Sequence, residues 1–361
     1  MGRIYCLKGN KTSAGNASAQ TGRTAVLPES PIVTVGIINY NCAGFLKKCV
    51  NSYLGQTYPN LQILLIDDCS SDGSINEMKA FQKNSEKPIR CIFHKINSGG
   101  PSKGIQEIIK EAKGKYFQWI ASDDFVEPDA IEKFVAYLED TGKDYVYSNF
   151  KIVNAAGQVI GHWNYKIPER RDLIRRIFLS GSGVIPMNGL YRTDFFRKRG
   201  ISWLLYEGND YSSDTLNSLF FIKNRMTYGM VPEGLIHYRI HNDNCSHDFA
   251  KRIRTSLSLY DYIIENFNEE IYLPFLPWEH LSNREQTKDY EIAVFYYTKI
   301  LRLLNRKDLP GYLTGTITDR EIKECLSGFR LKGMSYLQNG LKLEGPLNSG
   351  LLQLKEKYDR L

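Results

Sequence analysis

The feature that most constrains this chain is a repeated change of hydrophobic period between Pro31 and Phe150. Short apolar runs alternate with stretches whose apolar residues recur at helical spacing. The runs are 32-IVTVGIIN-39, 61-LQILLI-66, 89-IRCIFH-94, 115-KYFQWIA-121 and 144-DYVYSNF-150. Nearly continuous runs of this kind predict strands buried on both faces. Between them, Phe45, Leu46, Cys49, Val50, Tyr53 and Leu54 mark a helix, which Pro59 and Asn60 break. Residues 74–84 and 105–113 predict two more helices, and Pro128 opens a fourth that ends near Asp140. Such alternation predicts an α/β fold: a mostly parallel central sheet with helices on both faces, a three-layer Rossmann-like sandwich.

Two of these strands run directly into paired carboxylates, Asp67-Asp68 and Asp123-Asp124. Open parallel sheets bind ligands at the carboxyl ends of their strands, so both pairs should meet on one rim. Asp and Ser are also good turn formers, which alone would explain a single pair. Two pairs on one rim are harder to explain that way. Adjacent carboxylates repel unless a cation or hydrogen-bond donors compensate. A divalent ion held by one or two carboxylates and by substrate phosphates is the usual arrangement for Mg²⁺, and Mn²⁺ also suits oxygen ligands. The pattern therefore suggests a nucleoside diphosphate clamped by metal.

Bulk properties exclude other classes. The 361 residues suit one large domain with an appendage, or two domains. A net charge of +7 fits an anionic small molecule, an anionic membrane surface or simple solubility. It carries no basic stripe and no reading module, so no nucleic-acid partner is expected. Seven cysteines without a C-x-x-C predict reduced thiols in a cytosolic protein. No apolar run approaches the roughly 20 residues of a membrane helix. Residues 1–30 are polar and lack a signal-peptide core; they predict a flexible lead-in. The glycosylation pattern Asn16-Ala17-Ser18 within them is accidental unless the chain is secreted. A dinucleotide-dependent dehydrogenase would need G-x-G-x-x-G after its first strand, where Asn39-Tyr40-Asn41 stand. The stretch 99-GGPSKG-104 is followed by Ile105, which excludes a phosphate-binding P-loop.

Beyond residue 150 the alternation loosens. A hairpin is expected over 152–163, then a basic helix containing Arg170, Arg171, Arg175 and Arg176, a helix near 214–224 and a strand over 226–231. After His247 the pattern is helical to the end. The expected division is a flexible segment 1–30, a domain 31–248 and a helical region 249–361.

Taken together, 34-TVGIINYN-41, 55-GQTYPNLQILLIDDCSSDGS-74, 97-NSGG-100 and 111-EAKGKYFQWIASDD-124 resemble glycosyltransferase family 2 on the GT-A fold, over about residues 31–245. Several ordered motifs at compatible spacing are more specific than one short pattern. The resemblance implies a metal-dependent, inverting transfer of a sugar from a nucleoside-diphosphate donor, UDP-linked, to a saccharide or lipid-linked saccharide, as in bacterial surface polysaccharide synthesis. It implies that Tyr40 covers the base, Asp68 accepts a hydrogen bond from it, Asp123 contacts the ribose and Asp124 binds Mn²⁺ or Mg²⁺. In 238-YRIHNDNCS-246, Arg239 would neutralise phosphate and His241 would help ligate metal or diphosphate. Asp214 falls where the family carries its catalytic base.

Each role has a plainer competitor. Asp214 could cap the helix that follows it, and Asp210 and Glu207 are neighbouring alternatives for the base. His241 could be a surface histidine, Tyr40 ordinary packing, and the arginine cluster a solvated helix face or a contact to anionic lipid. The chain departs from the family at Ile38-Asn39, and at Ile105, where relatives often carry Arg; Lys103 is the nearby cation for the donor. A non-catalytic nucleotide-sugar or glycan-binding module would keep the Asp pairs and lack the base. The expected location is the cytoplasm, with peripheral contact at the inner membrane face. The C-terminal region is open as an acceptor module, a membrane-docking surface or a homodimer interface.

Overall fold

The computed structural model describes residues 30–165, 185–205, 213–241, 260–266, 283–304, 319–343 and 345–361. The expected basic helix, Glu207 and Asp210 lie outside them.

Among the described residues the sheet has nine strands: β1 (Val33–Asn39), β2 (Leu61–Asp67), β3 (Ile89–Phe93), β4 (Tyr116–Ala121), β5 (Phe125–Val126), β6 (Tyr145–Val153), β7 (Val159–Trp163), β8 (Leu190–Arg192) and β9 (Tyr228–Arg239). Their order is β3-β2-β1-β4-β8-β6-β9-β5, with β7 paired to β6 as the expected hairpin. The pairs β3/β2, β2/β1, β1/β4 and β6/β9 are parallel; β8 inserts antiparallel between β4 and β6. This is the mostly parallel α/β sheet that the sequence predicts.

Every residue of β1 is buried, because helices cover both faces. Side chains alternate between two cores, as strand geometry requires. Val33, Val35 and Ile37 join Ile63, Leu65, Tyr116 and Ile120 on one face. There they meet Leu46, Val50 and Tyr53 of α1 (Ala43–Leu54) and Ile131, Phe134 and Leu138 of α4 (Ala130–Thr141). Met78 of α2 (Ser74–Asn84) packs on the same side. Ile38, Ile66 and Phe117 face the other core, with Ile105, Ile108 and Ile109 of α3 (Ser102–Glu111). Gly36 is required here: a Cβ on it would lie 2.1 Å from Ile108 Cδ1, so its absence lets α3 seat directly on β1.

The second core takes in the C-terminal helices. Leu219 and Phe221 come from α6 (Ser213–Lys223), after the short α5 (Thr193–Arg197). Tyr296 of α7 (Arg284–Leu304), Phe329 of α8 (Asp319–Leu341) and Tyr358 of α9 (Asn348–Asp359) belong to the same cluster. Tyr358 Oη donates to the Ala293 carbonyl at 2.6 Å, so this buried hydroxyl is satisfied.

Three strands exceed the sequence reading. β5 and β8 are two and three residues long, too short to carry a period. β9 was expected over 226–231 and runs on to Arg239. Pro232 and Gly234 interrupt its pattern, and the register against β6 shifts there, the irregularity that admits proline within a strand.

Candidate functional site

Because β2, β1 and β4 are parallel neighbours, their carboxyl ends open on one edge, and the two acidic pairs stand on either side of β1. Asn39 ends β1 and is fully buried between them. Its Nδ2 donates to Asp67 Oδ1 at 2.9 Å and to Ser70 Oγ at 3.1 Å; its Oδ1 accepts from Ser122 Oγ at 2.7 Å. One amide thus ties the turn after β2 to the turn after β4. The backbone repeats the tie: Asp68 N donates to the Asn39 carbonyl and Ser122 N to the Ile38 carbonyl.

The first pair faces the protein. Asp67 accepts from Ser70 N at 2.8 Å and Ser70 Oγ at 2.6 Å, closing a turn in which Cys69 takes φ +66°. Asp68 is 3% exposed. Its Oδ1 lies 2.7 Å from His94 Nδ1, and its Oδ2 accepts from Ser98 N and Ser98 Oγ at 2.9 Å each. Asn97 Nδ2 donates to the Asp68 carbonyl at 3.0 Å. The 97–100 loop is therefore fastened to Asp68. Tyr40 projects from the end of β1 and is 44% exposed. Lys103 is exposed in the first turn of α3.

The second pair is differently held. Asp124 is buried, and its Oδ1 accepts from Arg239 N at 2.8 Å. Burial first, and the Asp123 charge second, push its carboxyl well above the usual carboxylate range, against the opposing pull of Arg239. Asp123 Oδ2 lies 3.1 Å from His241 Nε2. The Arg239 guanidinium is buried and donates to the carbonyls of Asp123 at 2.7 Å and Ala155 at 2.6 Å. It also stacks 4.7 Å from the Phe45 ring centroid, and His241 packs on the same ring. Arg239 thus joins the Asp123 turn to the β6–β7 hairpin and lays positive charge beside both carboxylates.

Among the described residues no group of three His, Cys, Asp or Glu side chains is placed to hold a metal ion. Asp124, disfavoured as a free anion by burial and by Asp123, is the carboxylate whose charge a cation would relieve. Asp214 stands apart from this turn in sequence, exposed in the first turn of α6. Its charge, after burial, raises the Tyr165 hydroxyl, which places it electrically near the end of the β6–β7 hairpin.

The family description "Glycosyl transferase family 2" matches residues 34–200. Over these residues the chain is similar to that family. Its curated relatives include a chondroitin synthase of Pasteurella multocida, 30% identical over 172 residues, which are 47% of this chain and 17% of that protein. The glycosyltransferase GlyG of Streptococcus pneumoniae is 33% identical over 121 residues, 34% of this chain and 40% of its own. A poly(ribitol-phosphate) beta-glucosyltransferase of Bacillus spizizenii is 28% identical over 127 residues, 35% of this chain and 20% of its own. The chain matches well under half the length of each. Among solved structures, S. aureus TarS 1-349 in complex with UDP-GlcNAc superposes with a TM-score of 0.54 at 16% identity, over 85% of this chain and 92% of that one. That likeness shows the shared GT-A fold.

Within residues 34–200, the sequence reading missed His94, Ser98 and Asn39. Asn39 appeared only as a departure from the family pattern. A polar residue closing an apolar strand between two acidic turns was the available signal. His94 had none, because its partners come from β2 and α3.

Proposed function

We propose that the chain is a metal-dependent, inverting glycosyltransferase that moves a sugar from a nucleoside-diphosphate donor, UDP-linked, to a saccharide or lipid-linked saccharide. The observation that carries this reading is the Asp123–Asp124 turn. It is an acidic pair at a parallel strand's carboxyl end, Asp124 buried and Asp123 partly exposed, beside a cationic guanidinium and tied through Asn39 to the Asp68 turn. The named activities of the relatives support a saccharide acceptor of the surface-polysaccharide kind. A UDP-linked donor follows TarS, solved with UDP-GlcNAc.

In this reading Tyr40 covers the base and Asp68, with its loop, lines the base pocket. Asp123 meets the ribose. Asp124, with His241, holds Mn²⁺ or Mg²⁺, which when bound neutralises charge on the diphosphate. Lys103 and Arg239 add positive charge toward the phosphates. Asp214 takes the proton from the acceptor hydroxyl as its oxygen bonds to the anomeric carbon. The bond from that carbon to the diphosphate oxygen breaks on the opposite face, so one in-line displacement inverts the centre. Among the described residues no helix is long and apolar enough to cross a membrane.

Calorimetry with UDP-sugars tests the donor half: binding is expected with Mn²⁺ and lost with EDTA. No binding of any UDP-sugar in the presence of metal ends the reading. Asp214→Asn tests the chemistry. Transfer should fall by about 10²- to 10⁴-fold, the usual worth of a positioned base, with donor affinity unchanged. Equal loss of both assigns Asp214 a structural role. Donor binding by the wild type without transfer to any acceptor favours a non-catalytic binding module.

A further inference from the structure

The reaction described above leaves several buried titratable groups unused, the His94 side chain among them. His94 follows β3, and its side chain is 5% exposed. Its Nδ1 lies 2.7 Å from Asp68 Oδ1, and its Nε2 lies 3.0 Å from Glu107 Oε2 on α3. Those two carboxylates are the charged groups that act on the ring: Asp68 from the end of β2 and Glu107 from α3. A neutral imidazole carries a single N–H, its other nitrogen being an acceptor. With one ring nitrogen on each carboxylate, a neutral ring would turn a lone pair against an anion at one end or the other. Only the imidazolium donates at both ends.

We propose that His94 is a positioning residue for the nucleotide pocket: as an imidazolium it bridges Asp68 to Glu107 and holds the Asp68 carboxylate, with the 97–100 loop, in the shape that accepts the donor. The β2/β3 backbone ladder ends here, where His94 N donates to the Asp67 carbonyl at 2.9 Å, and the side-chain bridge extends that tie to the Asp68 carboxylate and to α3. Asp68 in turn binds Ser98 through its backbone and side chain. The order of action is therefore α3 to imidazolium, imidazolium to Asp68, and Asp68 to loop. Burial alone would pull the His94 pKa down; the bonds to Asp68 and Glu107 outweigh it and hold it above the ordinary histidine value. When the proton leaves, one of the two contacts becomes repulsive. The pocket then loses either its carboxylate orientation or its tether to α3.

This inference rests on the donor reading for its ligand, and not for the state of the ring. Imidazole ¹H–¹⁵N spectra of the full chain should show both His94 nitrogens protonated at neutral pH, with no ligand present. A singly protonated ring there overturns the proposal, whatever the chain binds. With UDP and Mn²⁺ as the probe, affinity should fall roughly tenfold as pH rises through the His94 titration. By reciprocity UDP should raise the proton affinity of His94 by the same factor. Glu107→Gln is the diagnostic variant. Its amide can donate to a neutral Nε2 while Nδ1–H still serves Asp68, so the pH step should flatten. His94→Gln keeps one donor for Asp68 and should weaken UDP binding independently of pH. A wild-type affinity that does not follow the His94 titration, or an unchanged pH step in Glu107→Gln, refutes the positioning role. If the wild type binds no UDP at all, the donor reading fails while the ring measurement stands.

Discussion

The two Asp-Asp pairs have the same dipeptide at the same kind of strand end, and the protein treats them in opposite ways. Asp67 and Asp68 are surrounded by donors: an amide and a backbone N–H for Asp67, an imidazole and Ser98 for Asp68, with hydroxyls at both. Their charge is spent on shape, closing a turn and fastening a loop. Asp124 is buried with a backbone N–H from Arg239 as its one hydrogen-bond donor among the described residues. Burial and Asp123 disfavour its ionised form. A saturated carboxylate contributes stability, while an undersatisfied one stores unfavourable charge that an arriving cation relieves. On the proposed reading, the difference separates scaffold from chemistry more clearly than the sequence motif does.

Asp124→Asn gives the largest effect by which this contrast can be broken. The amide still accepts from Arg239 N, so the turn should survive. Transfer should fall by at least about 10³-fold once the anionic ligand is gone. Thermal stability measured in EDTA should hold or rise, since a buried charge beside Asp123 has been removed. A large drop in melting temperature would put Asp124 with the scaffold.

Asp67→Ala should do the reverse in kind. It strips the acceptor from Asn39 Nδ2, Ser70 N and Ser70 Oγ. Leaving buried donors unpaired should cost about 2–4 kcal/mol in denaturant unfolding. If Asp67→Ala unfolds like the wild type, the first pair is not a scaffold. Gly36→Ala probes the same side through packing. Its methyl would meet Ile108 and push α3 off β1, an overpacking cost of about 1–3 kcal/mol. Because α3 carries Glu107, the His94 bridge should loosen in that variant as well.

What could be read beforehand follows the range of the forces involved. The parallel strands were legible because burial on both faces leaves a continuous apolar run, as in β1. The acidic pairs were legible because they interrupt such runs abruptly. β8 was not, since its three residues take their place from β4 and β6 on either side. Arg239 was read as a phosphate contact; that its guanidinium holds the Asp123 and Ala155 carbonyls required the hairpin to be folded beside it. His94 lies 26 residues from Asp68 and 13 from Glu107, so its bridge exists only once β2, β3 and α3 are packed. Side chains whose partners arrive by topology leave no local pattern.

The smallest expected effect is the pH dependence of stability that the His94 bridge carries, and it tests the scaffold side of the comparison alone. The folded pKa of His94 is raised above its unfolded value of about 6.5. The folded state therefore binds the proton more tightly than the unfolded chain. The bridge stabilises in full below about pH 6.5, and its contribution fades as pH rises through the folded value. The loss should be on the order of 1 kcal/mol, the net worth of a hydrogen bond to a charged group in a site the side chain barely exposes. Urea midpoints taken on both sides of that interval, for wild type and His94→Gln, measure it. The wild type should weaken with rising pH relative to the variant. A wild-type profile parallel to that of His94→Gln would mean that the imidazolium contributes nothing to the fold, and would leave the Asp68 carboxylate held by Ser98 alone.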